Sequence, residues 1–207
     1  SFIYKLCSED YSRVINFKKL KNKKKKNIIF YDQEYPNNWE LRARKGKPHV
    51  SVKKYYNQIN KFFDLIEKTF KKKIIVCGHP KRKLKGLYSR KMVFNRSVEL
   101  TQNAAFCMAH NSYAVNFPII LKKPFILLST NELEGTLIYQ DMLALASLFN
   151  KKIININNFK KKEIINSLRT SKKLYRNYIE GYIAEKNVNN NRWSFVESKL
   201  RIHLNDK

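Results

Sequence analysis

The sequence predicts an α/β fold, a doubly wound parallel sheet of about six strands with helices at its C-terminal end. Three observations carry this. Short apolar runs of four to six residues alternate with helical patterns. Glycine and proline number only five each, which argues against a loop-rich all-β chain. Hydrophobic residues make up 43% of the 207, enough for one domain with its own core.

Along the chain, residues 1–20 show no clear period, and Lys21–Lys26 is nearly all lysine, read as a solvated linker. Asn27–Tyr31 is the first strand. After a loop, Ser51 caps a helix over Val52–Lys71, because Tyr55, Ile59, Phe62, Phe63, Ile66 and Phe70 recur at helical spacing. Ile74–Cys77 is the second strand, Lys81–Gly86 a basic loop, Lys91–Phe94 a third strand, and Ser97–Asn103 a short helix. Ala104–Ala109 is the fourth strand, followed by a helix over Tyr113–Lys122 in which Pro118 implies a kink or a late start. Phe125–Leu128 is the fifth strand, Leu133–Phe149 a helix, and Lys152–Ile156 a weaker sixth strand. Helical material over 159–186, a turn at 187–191 and a last helix over Trp193–Leu204 complete the chain. The expected division is a leading segment over 1–26, a Rossmann-like domain over 27–160 and a helical tail over 161–207.

In such a sheet ligands bind beyond the carboxyl ends of the strands. Four strands end in hydrogen-bonding residues: Asp32-Gln33-Glu34, Gly78-His79-Pro80, His110-Asn111-Ser112 and Thr130-Asn131-Glu132. His79 is placed to donate to a phosphate, with Pro80, Lys81 and Arg82 beside it; the alternative is a histidine that only bonds a neighbouring loop. Ser112 opens a helix, where free backbone N–H groups attract anions; plain capping is the alternative and does not exclude it. Glu132 is read either as a ribose contact or as a first-turn glutamate favoured by the helix dipole. His110 reaches the same cleft or is a satisfied histidine at a strand end. Arg90 is a further, weaker cationic candidate.

Other chemistry lacks its pattern. There is no G-x-G-x-x-G, no Walker A, no Ser-x-x-Lys, no Gly-x-Ser-x-Gly and no His-Glu-x-x-His. Cys7, Cys77 and Cys107 read as buried free thiols, and no Cys/His spacing suits zinc. The net charge of +27 has three readings: a compositional habit, an anionic partner such as a membrane surface or phosphorylated substrate, or nucleic acid. No zinc-finger or RNP-type motif supports the last, so no nucleic-acid partner is expected. No apolar run approaches the length needed to span a bilayer.

The stretch Ile74–Leu128 resembles the C-terminal domain of GT-B glycosyltransferases of bacterial capsule and lipopolysaccharide synthesis, in the group with sialyltransferases and Kdo transferases. The pieces are Gly78-His79-Pro80, Ser97-Val98-Glu99-Leu100-Thr101, His110-Asn111-Ser112 and Lys122-Lys123-Pro124-Phe125-Ile126. The resemblance implies half of a GT-B fold that binds a nucleotide-activated sugar, first of all a CMP-sugar. It assigns His79 a catalytic role at the donor phosphate. Pro80, Lys81, Arg90, His110, Asn111, Ser112, Thr130, Asn131 and Glu132 are the donor-binding candidates, with Asn131 and Glu132 toward ribose or base. Ser112 stands alone, without the family's paired serine. No metal or other cofactor is expected. The acceptor would be a glycan or a lipid-linked glycan, in the cytoplasm or at the inner membrane face. A second domain would supply the base, so the chain is expected to bind donor and to transfer sugar poorly alone. A polyol-phosphate transferase or nucleotide-sugar epimerase on the same fold, and a non-catalytic basic module binding nucleic acid or a membrane, are the alternatives.

Overall fold

The computed structural model describes residues 6–17, 27–37, 50–79, 87–185 and 191–205. At its centre is a six-stranded sheet with every neighbouring pair parallel. The strands are β1 (Asn27–Tyr31), β2 (Lys73–Cys77), β3 (Lys91–Val93), β4 (Ala104–Ala109), β5 (Phe125–Ser129) and β6 (Ile154–Asn155). Their order across the sheet is β3-β2-β1-β4-β5-β6. This is the doubly wound Rossmann order, in which the winding reverses between the first and fourth strands. The α/β expectation therefore holds, with each expected strand present.

The strands are apolar throughout because both faces are covered. In β1, Ile28 and Phe30 point to one face and Ile29 and Tyr31 to the other, and all four are buried. Helix α2 (Val52–Phe70) covers the first of these faces. Ser51 Oγ accepts the Lys54 N–H at 3.3 Å and starts it. Tyr55, Ile59, Phe62, Phe63 and Ile66 line its buried stripe. Each is worth roughly 1.5–3 kcal/mol relative to exposure, so this stripe dominates that half of the core. The helix stops at Lys71, which adopts the left-handed region at φ 52°.

On the opposite face lie α1 (Glu9–Asn16), α3 (Ser97–Gln102), α4 (Asn116–Ile120), α5 (Leu137–Leu148) and α7 (Lys172–Tyr178). Helix α1 has no counterpart in the sequence expectation. Ser8 Oγ caps it through the Tyr11 N–H at 3.2 Å, and its one fully buried residue is Val14, too few apolar contacts to betray a period. The backbone N–H of Ser8 donates to the Ile183 carbonyl at 2.7 Å. The described parts of the two flanking segments thus pack together on one face of the sheet.

Several boundaries shift for local reasons. The helix expected over 113–122 divides into a 3₁₀ turn, Tyr113–Val115, and α4. Pro118 is the third residue of α4, where its missing N–H has no helical partner to lose. Helix α5 begins at Leu137 instead of Leu133, because Thr136 Oγ caps the Tyr139 N–H at 3.3 Å after Gly135 turns at φ 82°. The sixth strand is two residues long. The material over 159–186 breaks into α6 (Lys161–Ser167), α7 and a π-helical turn at Ile179–Ile183, with Ser171 restarting the chain as the cap of α7. The last helix, α8, spans Arg192–Asn205. No helix among the described residues is long and apolar enough to cross a membrane.

Candidate functional site

Parallel pairing sends the end of every strand to one edge of the sheet, and four polar segments meet there. In spatial order they are Gly78-His79 after β2, Asp32–Glu34 after β1, His110–Ser112 after β4 and Thr130–Glu132 after β5. At about 4.8 Å per strand they span roughly 15 Å. The β1/β4 boundary in their middle is the switch point, the place at which sheets of this order bind ligands.

Asp32 anchors the β1 side. Its N–H donates to the Cys77 carbonyl at 2.9 Å. Its Oδ1 accepts the Glu34 N–H at 2.7 Å and the Tyr88 hydroxyl at 2.8 Å. Glu34 is drawn into the left-handed region at φ 53°, and both acids are buried.

His110 lies across the switch point and is fully buried. Its Nδ1 is 2.7 Å from the Leu128 carbonyl, which can only accept, so Nδ1 carries the proton. Nε2 then accepts from the Tyr55 hydroxyl at 2.8 Å. The rings of Phe30, Tyr35 and Tyr55 surround it at centroid distances of 5.8, 5.6 and 5.7 Å. Burial pushes its pKa down to about 4, against a weaker upward pull from the Leu128 bond and Asp32. The sequence offered two roles for His110, and the structure places it as the satisfied histidine, with both nitrogens bonded inside the protein. It reaches no open cleft.

The other candidates differ in availability. His79 is half-buried at the end of β2. It comes after Gly78, where a Cβ would stand 2.5 Å from the Phe94 ring, so the glycine is required by close approach. Ser112 Oγ caps the 3₁₀ turn by accepting the Ala114 N–H at 3.2 Å. Asn111 Nδ2 reaches Asp141 at 3.5 Å. Asn131 turns toward β6, where its N–H donates to Asn157 at 3.1 Å and its Oδ1 accepts from Asn155 at 2.8 Å. Pro80 and Lys81 lie outside the described residues.

Glu132 pairs with Lys54 at 2.5 Å, with its side chain 15% exposed. Burial raises its pKa, but the Lys54 ammonium, its own backbone N–H and the neighbouring Thr130 hydroxyl outweigh that and leave it below the usual range. Three buried polar atoms here make no well-directed hydrogen bond: Glu132 Oε2, the Thr130 Oγ1 that lies beside it, and the Tyr35 hydroxyl. Burial, and next the Glu132 charge, raise the Tyr35 phenol well above its ordinary value.

Arg90 does not join this group. It precedes β3 and therefore stands at the amino edge, at the far end of the sheet. There its Nη2 donates to Asp64 at 2.5 Å and lies 3.3 Å from Glu67, while its guanidinium sits 5.9 Å from the Phe63 ring centroid. It is a structural ion pair, and its expected donor role is withdrawn on position alone. The sequence pattern does not mark Tyr35, Tyr55 and Tyr88, whose hydroxyls face the switch point. Tyr55 reads there as helical spacing and Tyr88 as loop. Asp32 and Glu34 did carry a signal, standing directly after a buried strand.

The three cysteines are free and buried, as expected. Burial raises the Cys77 thiol and pushes Cys107 up to about 12, so neither is a ready nucleophile. Among the described residues no group of three or more His, Cys, Asp or Glu side chains is placed to hold a metal ion. No family model, curated protein or solved structure matches the chain.

Proposed function

We propose that this chain binds a nucleotide-activated sugar at the carboxyl edge and acts as the donor-binding domain of a glycosyltransferase, with a CMP-sugar the first donor to test. The observation that carries the reading is the strand order β3-β2-β1-β4-β5-β6, whose switch point is bordered by His79, Ser112, Thr130 and Glu132. In this reading His79 donates to the phosphate, and the Ser112 turn supplies a hydroxyl and backbone N–H groups beside it. Both oppose the charge that develops on the leaving nucleotide. Glu132 accepts from ribose hydroxyls once Lys54 releases it. In this reading the acceptor is a glycan or lipid-linked glycan, and a second domain contacts it and supplies the base. A polyol-phosphate transferase or an epimerase would use the same edge, since fold alone does not select among them.

Calorimetry with CMP, CDP, UDP and GDP tests the reading, with His79→Ala as the variant. CMP binding that His79→Ala weakens by about 10–100-fold, the scale of one charge-assisted hydrogen bond, supports it. Preference for another nucleotide moves the donor and keeps the site. If no nucleotide binds while DNA does, with a steep salt slope, the reading is replaced by a basic binding module.

A further inference from the structure

We propose that the amino-terminal edge of the sheet, opposite the donor edge, is a docking surface for an anionic lipid bilayer. In sequence the lysines look scattered. Topology gathers them, because every turn from helix into strand of an all-parallel sheet emerges at the same edge. The chain passes into β2 through Lys72 and Lys73, into β5 through Lys122 and Lys123, and into β6 through Lys151 and Lys152. Lys91 opens β3 on the same edge. Among the described residues the carboxyl edge carries Asp32, Glu34, Glu132 and Glu134 together with Lys54, while the basic residues of 42–47 and 81–85, which follow β1 and β2 in sequence, lie outside the described residues.

Two simpler accounts fall short. Helix carboxyl ends favour a cation, and α2 and α5 both end at this edge. That explains one lysine per turn, whereas these turns carry them in pairs. Internal pairing is the other account. Lys73 does meet Glu67 at 3.7 Å and Lys152 meets Glu163 at 2.5 Å, while Lys123 donates to the Ala104 carbonyl at 3.4 Å and Lys151 to the Arg169 carbonyl at 3.1 Å. Yet among the described residues Lys91, Lys122, Arg169 and Lys173 have no acid within ion-pair distance, and all four are exposed.

The surface suits lipid headgroups better than nucleic acid. From β2 to β6 the charges spread over roughly 20 Å, the width of several headgroups. Nearly all are lysines, compact point charges, and not the planar arginine forks that read phosphates and bases. The aromatic rings at this end, Phe125, Phe149 and Tyr175, are buried and offer no stacking face. Beside them a cavity of about 640 Å³ is walled by Lys152, Arg169 and Lys173 with the Thr170 and Ser171 side chains, and by Glu163, which pairs with Lys152 and leaves Arg169 and Lys173, among the described residues, as its free cations. It gives one phosphate headgroup a concave seat, and exposed Leu148 stands next to it in sequence at the end of α5. Docked this way, the carboxyl edge faces away from the bilayer. The proposal is independent of which nucleotide, if any, that edge binds.

Co-sedimentation with vesicles of mixed phosphatidylglycerol and phosphatidylcholine at about 0.1 M salt tests it. The edge variant is Lys91→Glu/Lys122→Glu/Lys173→Glu. The control, Lys53→Glu/Lys61→Glu/Lys161→Glu, makes the same change in net charge away from that edge. The edge variant should lose about a hundredfold of vesicle partitioning, on the order of fivefold per lysine removed, and the control far less. Equal losses would assign binding to net charge and overturn the proposal, as would a wild-type chain that stays in the supernatant. Preference for a DNA duplex over vesicles at equal phosphate, lost in the edge variant, would give the surface to nucleic acid and also overturn it. Should the edge variant melt early, Lys→Gln at the same three positions removes the same three lysines and carries the test with a loss of similar size. Nucleotide calorimetry on the same samples reads the donor edge separately, so either idea can fail without the other.

Discussion

At the carboxyl edge Asp32 and His110 are held by neutral partners, although Glu132 there pairs with Lys54; at the amino edge Arg90 and Lys152 are held by charges. Asp32 is met by the Tyr88 hydroxyl and a backbone N–H, and His110 by the Tyr55 hydroxyl and a carbonyl. Arg90 is met by Asp64 and Glu67, and Lys152 by Glu163. Salt and solvent screen the Asp64 and Lys152 contacts of the second set, whose side chains keep 70% and 68% of their surface exposed, while Arg90 and Glu67 are largely buried. The first set lies in the interior, where a lost partner is not replaced by water. One end of the sheet is thus rigidly wired and the other loosely paired, and the two should respond differently to the same kind of damage.

The largest difference is expected from deleting one anchor at each edge. Asp32→Ala removes the carboxylate that accepts from the buried Tyr88 hydroxyl and the Glu34 N–H, at about 1–3 kcal/mol each. A total loss of about 3–4 kcal/mol in urea unfolding is expected. Arg90→Ala breaks an ion pair that is open on the Asp64 side and loses packing on Phe63, for about 1–2 kcal/mol. Equal losses in the two variants would erase the contrast between the edges.

Acid should act on the wired edge next. His110 has its folded pKa near 4, below the 6.5 of a free histidine. The unfolded chain therefore takes up the proton first. The contribution of His110 is complete above pH 6.5 and is lost as pH falls toward 4. The loss is on the order of 3 kcal/mol across that window. His110→Gln, compared by urea unfolding at several pH values, should be less stable at pH 7 and show a flatter slope below it. A slope unchanged by the substitution would mean that other groups set the acid response.

Much of this contrast could be read in the sequence, for a geometric reason. Buried parallel strands are apolar runs such as Ile28-Ile29-Phe30 and Phe125–Leu128, and the polar residues directly after them must lie at the carboxyl edge. By the same rule Arg90, which precedes a strand, belonged to the amino edge, so its assignment to the donor group went against a signal already present. The grouping of Lys73, Lys91, Lys122 and Lys152 was equally implicit, but it needed the parallel pairing to turn scattered positions into one surface. The partners of His110 were not legible. Tyr55 is 55 residues away on a helix face that reads as core spacing, and only the packed structure shows its hydroxyl turned to the imidazole. Helix α1 was invisible for the opposite reason, since a surface helix that buries only Val14 leaves no periodic trace.

The smallest effect is expected at the Tyr35 hydroxyl, and its sign carries the information. The oxygen is buried without a hydrogen bond beside Glu132, while its ring packs on Tyr55 and His110. Tyr35→Phe keeps the ring and removes a desolvated hydroxyl, so the free chain should gain up to about 1 kcal/mol in thermal unfolding. The same variant should bind CMP about fivefold more weakly if that oxygen, with Thr130 and Glu132, is completed by a ligand. A gain in stability joined to a loss of binding marks an interior group left unsatisfied in the free protein and satisfied in the complex. A gain in stability with unchanged binding makes the hydroxyl a plain packing defect, and the wired edge then owes its open bonds to structure alone.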